Sequence, residues 1–367
     1  MLNYFRQFRD LKGIQYMEKI NVAVIGYGGM GGWHTDRIMG MDKFCLAGVW
    51  DINPERLCSA QAKGIYTYDS FEAVLSDQSV ELLVIATWND VHKELCIAAM
   101  RAGKNVISEK PVTLSVADLD EMIDVSKETG KLFTVHQNRR WDDDYLTMKN
   151  IVEKNLLGNV FRIESRTQGS RGIPGDWRKE KGHGGGMVYD WGVHLLDQAL
   201  TLNNENPLES VYAHVTNITN DECDDGFYTE LRFRNGLYYM VEVTTNNFIN
   251  LPRWYVLGEN GTAVIEDWDL NGKLTVVHNW DKIDSVPVKA GTGITKTMAP
   301  RTDETIHDEA LEKIHGEWTQ YYENIYNVLR NGEEQIVTHR QMRRCLKLIE
   351  AIFQSAKTDS VISFTED

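Results

Sequence analysis

Ile20-Asn21-Val22-Ala23-Val24-Ile25-Gly26-Tyr27-Gly28-Gly29-Met30-Gly31 is an apolar run that breaks into a glycine turn. The next apolar run, Leu46 to Trp50, closes on Asp51. Strand, glycine turn, helix and a second strand ending in an acid form a dinucleotide-binding fingerprint. Gly26 permits the tight turn, Gly28 lets backbone approach a pyrophosphate, and Gly31 lets the helix pack on the strand. Tyr27, Gly29 and Met30 complete a turn whose helix offers unpaired N–H groups to phosphate. Asp51 is placed to accept from the adenosine ribose hydroxyls. It would repel a 2′-phosphate, and Ile52 and Asn53 supply no arginine to neutralise one, which favours NAD over NADP.

Working outward, short apolar runs at 20–25, 45–50, 82–86, 105–108 and 132–136 alternate with helical stretches at 29–40, 54–63, 70–76, 90–102 and 115–129. This alternation predicts a doubly wound parallel sheet, an α/β Rossmann domain over residues 19–141. From residue 142 to 367 the pattern changes to longer strands: 160–166, 211–218, 227–233 and 237–245, with a hairpin turn at Arg234-Asn235-Gly236. A second hairpin spans 257–264. The expectation is an α+β domain: a mostly antiparallel open sheet of about six strands, with helices, including 187–202, on one face. Terminal helices follow. One carries Trp318, Tyr321, Tyr322, Ile325, Val328 and Leu329 on one face, and Thr338 to Gln341 reads as a capping box for the other. They are expected to pack back on the first domain.

With 367 residues, 42% hydrophobic and 25% charged, the chain has the composition of a soluble globular protein. Its net charge of −15 argues against nucleic acid or an acidic membrane surface as a general partner. Residues 1–18 read as an N-terminal extension without a signal peptide's apolar run. No later run approaches the ~18 apolar residues of a membrane span. The five cysteines include no C-x-x-C pair, and Cys45 and Cys96 read as core, which points to a reducing, cytoplasmic compartment without structural zinc.

Two clusters carry chemistry beyond the fingerprint. Glu109-Lys110-Pro111 follows the run Asn105 to Ser108, and the carboxyl ends of strands are where open α/β sheets bind ligands. Lys110 there is placed to reach a substrate hydroxyl and the nicotinamide ribose; read alone, a surface lysine after a strand is by far the commoner fate. Pro111 stiffens the turn, with a cis bond as one option. The second cluster is Asp190-Trp191-Gly192-Val193-His194. Four residues apart on a helix, Asp190 and His194 share a face, and a carboxylate beside an imidazole makes a general base. A structural helix residue and a core histidine are the alternative, and Asp197 is equally placed to pair with His194. His183 and His194 lack the H-E-x-x-H spacing, so no metal is expected.

These clusters, in this order, resemble the glucose–fructose oxidoreductase / inositol dehydrogenase / MocA family. The resemblance runs from about residue 19 to the end. It includes Ala86-Thr87-Trp88-Asn89-Asp90-Val91-His92, Asn138-Arg139-Arg140-Trp141 and the hairpin from Gly258 to Thr262. It implies that Lys110, Asp190 and His194 form a catalytic triad in which Asp190 orients His194. It further implies that Thr87, Trp88, Asn89, His92, Glu109 and Asn138 lie near the cofactor, and that Arg139 or Arg140 is a basic group on the substrate side. Trp88 stands where proline is usual and Trp141 where tyrosine is frequent. Arg166, Gln168, Arg171, Trp177 and Arg178, read as a loop bordering the sugar pocket, replace the histidine and asparagine of inositol dehydrogenases; Gln168, Trp177 and Arg178 are the substrate-binding candidates among them. The implied activity is NAD-dependent oxidation of a secondary hydroxyl on a sugar, inositol or glycoside. Transient oxidation with elimination, or a dinucleotide sensor without turnover, are the alternatives. A homodimer or homotetramer through the C-terminal sheet is expected.

Overall fold

A computed structural model describes residues 18–282 and 287–366, so nearly all of the expected N-terminal extension lies outside the described residues. The first half runs β1 (Ile20–Ile25), α1 (Gly29–Met39), β2 (Phe44–Trp50), α2 (Pro54–Ala62), α3 (Phe71–Ser76), β3 (Leu82–Ile85), α4 (His92–Arg101), β4 (Asn105–Ser108), α5 (Val116–Thr129) and β5 (Phe133–Val135). The strands pair in parallel in the order β2-β1-β3-β4-β5. A parallel sheet needs both faces covered, and every residue of β3 is fully buried. Asn53, Ser70 and Ser115 cap their helices by accepting from backbone N–H groups two or three residues on. The order switches between β1 and β3, and the crevice at that switch point is where such sheets bind ligands.

The second half runs α6 (Asp143–Glu153), β6 (Val160–Gln168), α7 (Val193–Leu202), β7 (Leu208–Thr216), β8 (Gly226–Phe233), β9 (Tyr238–Thr244), β10 (Trp254–Gly258), β11 (Gly261–Ile265), β12 (Gly272–Val277), β13 (Val288–Ala290), β14 (Gly293–Thr295), β15 (Ile306–Ala310), α8 (Thr319–Asn331), α9 (His339–Thr358) and β16 (Ile362–Ser363). Among the described residues, nine strands join in the order β15-β12-β11-β10-β6-β9-β8-β7-β16. Only the central β6–β9 pair is parallel. The expected six strands leave out three: β12, next to one edge, and β15 and β16 at the two edges, which are short and polar or half-exposed and lack an alternating pattern. The inner face is covered by α7 and α9, which contact β9 and β7 and each other.

Three local expectations are corrected. Cys45 is exposed, because β2 is an edge strand of the first sheet; Cys96 is buried as expected, and all five thiols are free. Arg166 and Gln168 lie on β6 itself, where Arg166 is buried between Glu164 and Glu242. The helix expected over 187–202 opens with a π turn, Val188–Gly192, before α7 begins.

The terminal helices do return to the first sheet. Arg330 of α8 donates to both carboxylate oxygens of Glu81, at 2.7 and 3.0 Å, just before β3. Arg343 of α9 pairs with Asp120 of α5 at 2.8 Å, and the Tyr322 hydroxyl meets His34 of α1.

Candidate active site

The glycine turn has the shape a dinucleotide pyrophosphate requires. Gly26 has φ +88°, and a Cβ there would stand 2.4 Å from the Ala86 carbonyl oxygen. A Cβ on Gly31 would stand 1.7 Å from the Gly26 carbonyl oxygen, so helix and turn touch backbone to backbone. No side chain caps α1, and a Cβ added at Gly29 would meet nothing within 4 Å, which leaves room at this helix N-terminus for a phosphate. Met30 is exposed beside them, and Tyr27 is buried. Asp51 is also buried. Its carboxylate accepts from the backbone N–H groups of Tyr27, at 2.6 Å, and Asn53, at 2.7 Å. Arg56, one turn into α2, donates to the same carboxylate at 3.2 Å. Its guanidinium lies within 3.3 Å of where a Cβ on Gly28 would sit. The sequence reading stopped at Asn53 and missed this cation. The available signal was a cation in the first turn of the helix that follows the acidic residue.

At the carboxyl end of β4, Lys110 precedes Pro111 through a cis peptide bond. Its Nζ donates to the main-chain oxygen of Asp190 at 2.8 Å and to Asp190 Oδ1 at 3.1 Å. Arg178 Nε donates to Asp190 Oδ2 at 2.9 Å. Burial works to raise the Asp190 pKa, but Lys110 and Arg178 outweigh it and hold the carboxylate below its usual range. Asp190 makes no hydrogen bond to His194, which corrects the expected orienting contact. The expectation assumed α spacing, whereas the π turn carrying Asp190 re-aims its carboxylate toward the two cations. Asp197 does not pair with His194 either. Its carboxylate takes both Arg140 Nη2 at 2.6 Å and Arg140 Nε at 2.7 Å.

His194 is therefore a buried imidazole whose Nδ1 has no partner among the described residues. Burial, then the charges of Lys110 and Arg139, hold its pKa well below the ordinary histidine range. It is neutral near pH 7 and free to accept a proton.

Of the two candidate arginines, Arg139 faces this site and Arg140 does not. They are neighbours in a short 3₁₀ turn, Asn138–Trp141, and point opposite ways. Arg140 is buried against Asp197, Ile336 and Gln341. The Arg139 guanidinium lies 4.1 Å from the Trp191 ring centre, and that ring stands 6.2 Å from His194. Gln198 of α7 fixes the Arg139 carbonyl at 2.6 Å. Asn138 and Arg139 both line a cleft of about 360 Å³.

The remaining candidates divide. Asn89 donates to the Gly184 carbonyl at 3.1 Å, tying β3's end to the loop before α7. Thr87 is half-buried, and Trp88 is exposed against His183 at 4.1 Å between ring centres. Trp177 is half-buried with Arg178 over its ring. Gln168 is spent on the Leu251 N–H. His92 is wholly buried; its ring nitrogens lie 3.0 and 3.3 Å from the carbonyl oxygens of Pro111 and Thr87, so it braces main chain rather than lining the crevice.

Glu109 is likewise turned inward. Its Oε1 is 2.8 Å from both His34 Nε2 and His136 Nδ1. Burial pushes this carboxyl up, but the two imidazoles reverse that and hold it well below its usual range. This trio has a metal-like donor set. Two ligands of a tetrahedral ion would stand roughly 3.3 Å apart; here the nitrogens share one oxygen at hydrogen-bond distance. Glu109 Oε2 accepts from the Lys110 N–H at 3.1 Å, so the network anchors the lysine's backbone. Residues 34, 109 and 136 are too far apart in sequence for spacing to reveal them.

Residues 20–137 match the oxidoreductase family with an NAD-binding Rossmann fold, and residues 145–264 match the GFO/IDH/MocA C-terminal domain. The structure of an NAD-binding protein from Listeria innocua is 46% identical, covers 95% of this chain and all of its own, and superimposes with a TM-score of 0.92. The scyllo-inositol 2-dehydrogenase (NADP(+)) IolW of Bacillus subtilis is 26% identical over 96% of this chain and 98% of its own length. The myo-inositol 2-dehydrogenase of Thermotoga maritima is 28% identical over 61% of this chain and 68% of its own. The protein is a nicotinamide-dinucleotide-dependent oxidoreductase. It belongs to the GFO/IDH/MocA family.

Proposed function

We propose that this enzyme oxidises a secondary hydroxyl of a sugar, inositol or glycoside, with bound NAD supplying the hydride acceptor. The observation that carries the reading is His194: a buried, neutral imidazole with an unpartnered nitrogen, beside a lysine held by a charged carboxylate. His194 takes the hydroxyl proton. Lys110 anchors the same oxygen and favours the charge that develops there. Asp190 stays ionised and fixes the ammonium, with Arg178 holding its other oxygen. Two relatives are named for inositol oxidation at carbon 2, which supports a cyclic polyol as substrate.

NAD is preferred over NADP because Asp51 crowds the ribose edge with negative charge; the relative named for NADP makes this a point to measure. We assign residues 19–141 to cofactor binding and 142–367 to substrate binding and assembly. The outer face of the second sheet leaves Phe161 and Tyr238 exposed, which supports a homodimer or homotetramer through that face. Five free thiols and the absence, among the described residues, of a helix long and apolar enough to cross a membrane accord with a cytoplasmic enzyme.

The test is NADH formation with a panel of inositols, hexoses and methyl glycosides, comparing wild type with Lys110→Ala and His194→Ala. Steady NADH accumulation that both variants abolish is expected. Turnover unchanged in both variants would refute the assignment.

A further inference from the structure

The chain between β6 and α7 belongs by sequence to the second domain, yet its middle is fastened to the first. His183 ends the second of two short 3₁₀ turns, Trp177–Lys179 and Lys181–His183. Its ring lies against Trp88, with centres 4.1 Å apart, and its Nδ1 stands 3.0 Å from Asp90 Oδ1. Its Nε2 is 3.5 Å from Oε2 of Glu180, just before the same turn. Asn89, between the two anchors, donates to the Gly184 carbonyl at 3.1 Å. Three consecutive residues after β3 thus hold two consecutive residues of the loop.

From this anchor the main chain leads to the reacting centre in two steps. The Gly186 N–H donates to the Arg178 carbonyl at 3.0 Å, and the Gly186 carbonyl accepts from the Asp190 N–H at 3.0 Å. A Cβ on Gly185 would stand 2.4 Å from the Arg178 carbonyl oxygen, so the glycine run lies directly on the backbone of Arg178. The Arg178 guanidinium then grips Asp190 Oδ2 at 2.9 Å, while Lys110 takes Oδ1. A shift of the loop at His183 therefore moves Arg178 and the main chain of Asp190 together. A partly exposed imidazole beside a carboxylate adds little to global stability; its effect lies in where the loop sits. We propose that His183 is a positioning residue, clamped by Trp88 and Asp90, that sets the Arg178 grip on Asp190. The inference rests on the reading of Lys110, Asp190 and His194 as the reacting centre.

The experiment is a double-mutant cycle on His183 and Arg178, read by NADH formation with a polyol or sugar that the wild type oxidises. His183→Ala should lower kcat about tenfold, the scale of a small misplacement of reacting groups, and change the NADH dissociation constant less than about threefold. Its urea unfolding midpoint should match wild type. Trp88→Ala should lower kcat similarly, and Trp88→Phe, which keeps a ring face, should restore most of it. In an Arg178→Ala background, His183→Ala should cost no more than about twofold further, because both act through one contact. Amide hydrogen exchange gives a readout without substrate: the Gly185 and Gly186 amides should exchange about tenfold faster in His183→Ala. An unchanged kcat in His183→Ala overturns the proposal. So do losses that multiply in the double variant, or weakened NADH binding with kcat intact, which would place His183 in cofactor binding alone. If no polyol or sugar is oxidised, the neighbouring assignment fails on its own. The exchange measurement then decides the clamp, and unchanged rates at both amides overturn it.

Discussion

The Lys110 ammonium donates to two oxygens of Asp190, the main-chain carbonyl at 2.8 Å and Oδ1 at 3.1 Å. One side chain thus joins the carboxyl edge of the parallel sheet to the π turn that leads into α7. Replacing Lys110 by Met removes the cation and leaves Asp190 with Arg178 alone. We expect kcat/KM to fall by about 10²–10³-fold, on the scale of losing one donor to developing charge. NADH affinity, read by fluorescence, should change less than threefold. A parallel collapse of cofactor binding would show that the lysine holds the fold of the crevice instead.

His194 sets a pH dependence whose sign follows from its depressed pKa. The imidazole stays neutral in the native enzyme until well below pH 6.5, so kcat/KM should hold level through neutral pH and show an acid limb only well below the ordinary histidine range. Unfolded, the same histidine protonates near 6.5. The unfolded state therefore binds more protons in that window, and stability falls as pH drops below about 6.5. His194→Asn should lower kcat/KM by roughly 10²–10⁴-fold and flatten that part of the stability profile, read by urea unfolding at pH 5.5 and 7.5. An acid limb left in place by the substitution would assign it to another group.

Arg56 donates to the Asp51 carboxylate, on which the proposed preference for NAD rests. A 2′-phosphate approaching Asp51 would meet this guanidinium as well. Arg56→Ala should raise the dissociation constant of NADPH about tenfold, the scale of one charge-assisted hydrogen bond, while NADH changes less. Equal weakening of both would place Arg56 on the shared pyrophosphate.

The Arg140–Asp197 pair is a structural prediction. Both residues are buried and doubly bonded to each other. Arg140→Met strands a buried carboxylate and should cost about 3–5 kcal/mol in chemical unfolding. Adding Asp197→Leu should recover part of it. An Arg140→Met enzyme of wild-type stability with a raised substrate KM would return this arginine to the substrate pocket.

The parallel half was readable because its signals are local: apolar runs of strand length, caps such as Asn53 and Ser115, and glycines at helix ends. The capping box at Thr338 and Gln341 forms with both of its hydrogen bonds. What escaped depends on distant partners. The π turn is a change of one residue per turn imposed by packing, and no periodicity in Val188 to Gly192 announces it. Arg139 and Arg140 are indistinguishable by residue type, and only the presence of Asp197 on α7 decides which one turns inward. His34, Glu109 and His136 meet because α1, β4 and the segment after β5 converge at one sheet edge. The strands β15 and β16 were invisible because sheet edges tolerate polar, unpatterned sequence.

The salt link from Arg330 to Glu81 and the contact of Tyr322 with His34 bear on how the protein is made. Translation delivers the nucleotide-binding half first, yet two of its braces come from residues 322 and 330. A nascent chain stalled before residue 319 would carry the glycine turn with His34 and Glu81 still waiting for their partners. These two braces therefore form only after residues 319–331 of α8 have been made, later than every element of the sheet they hold.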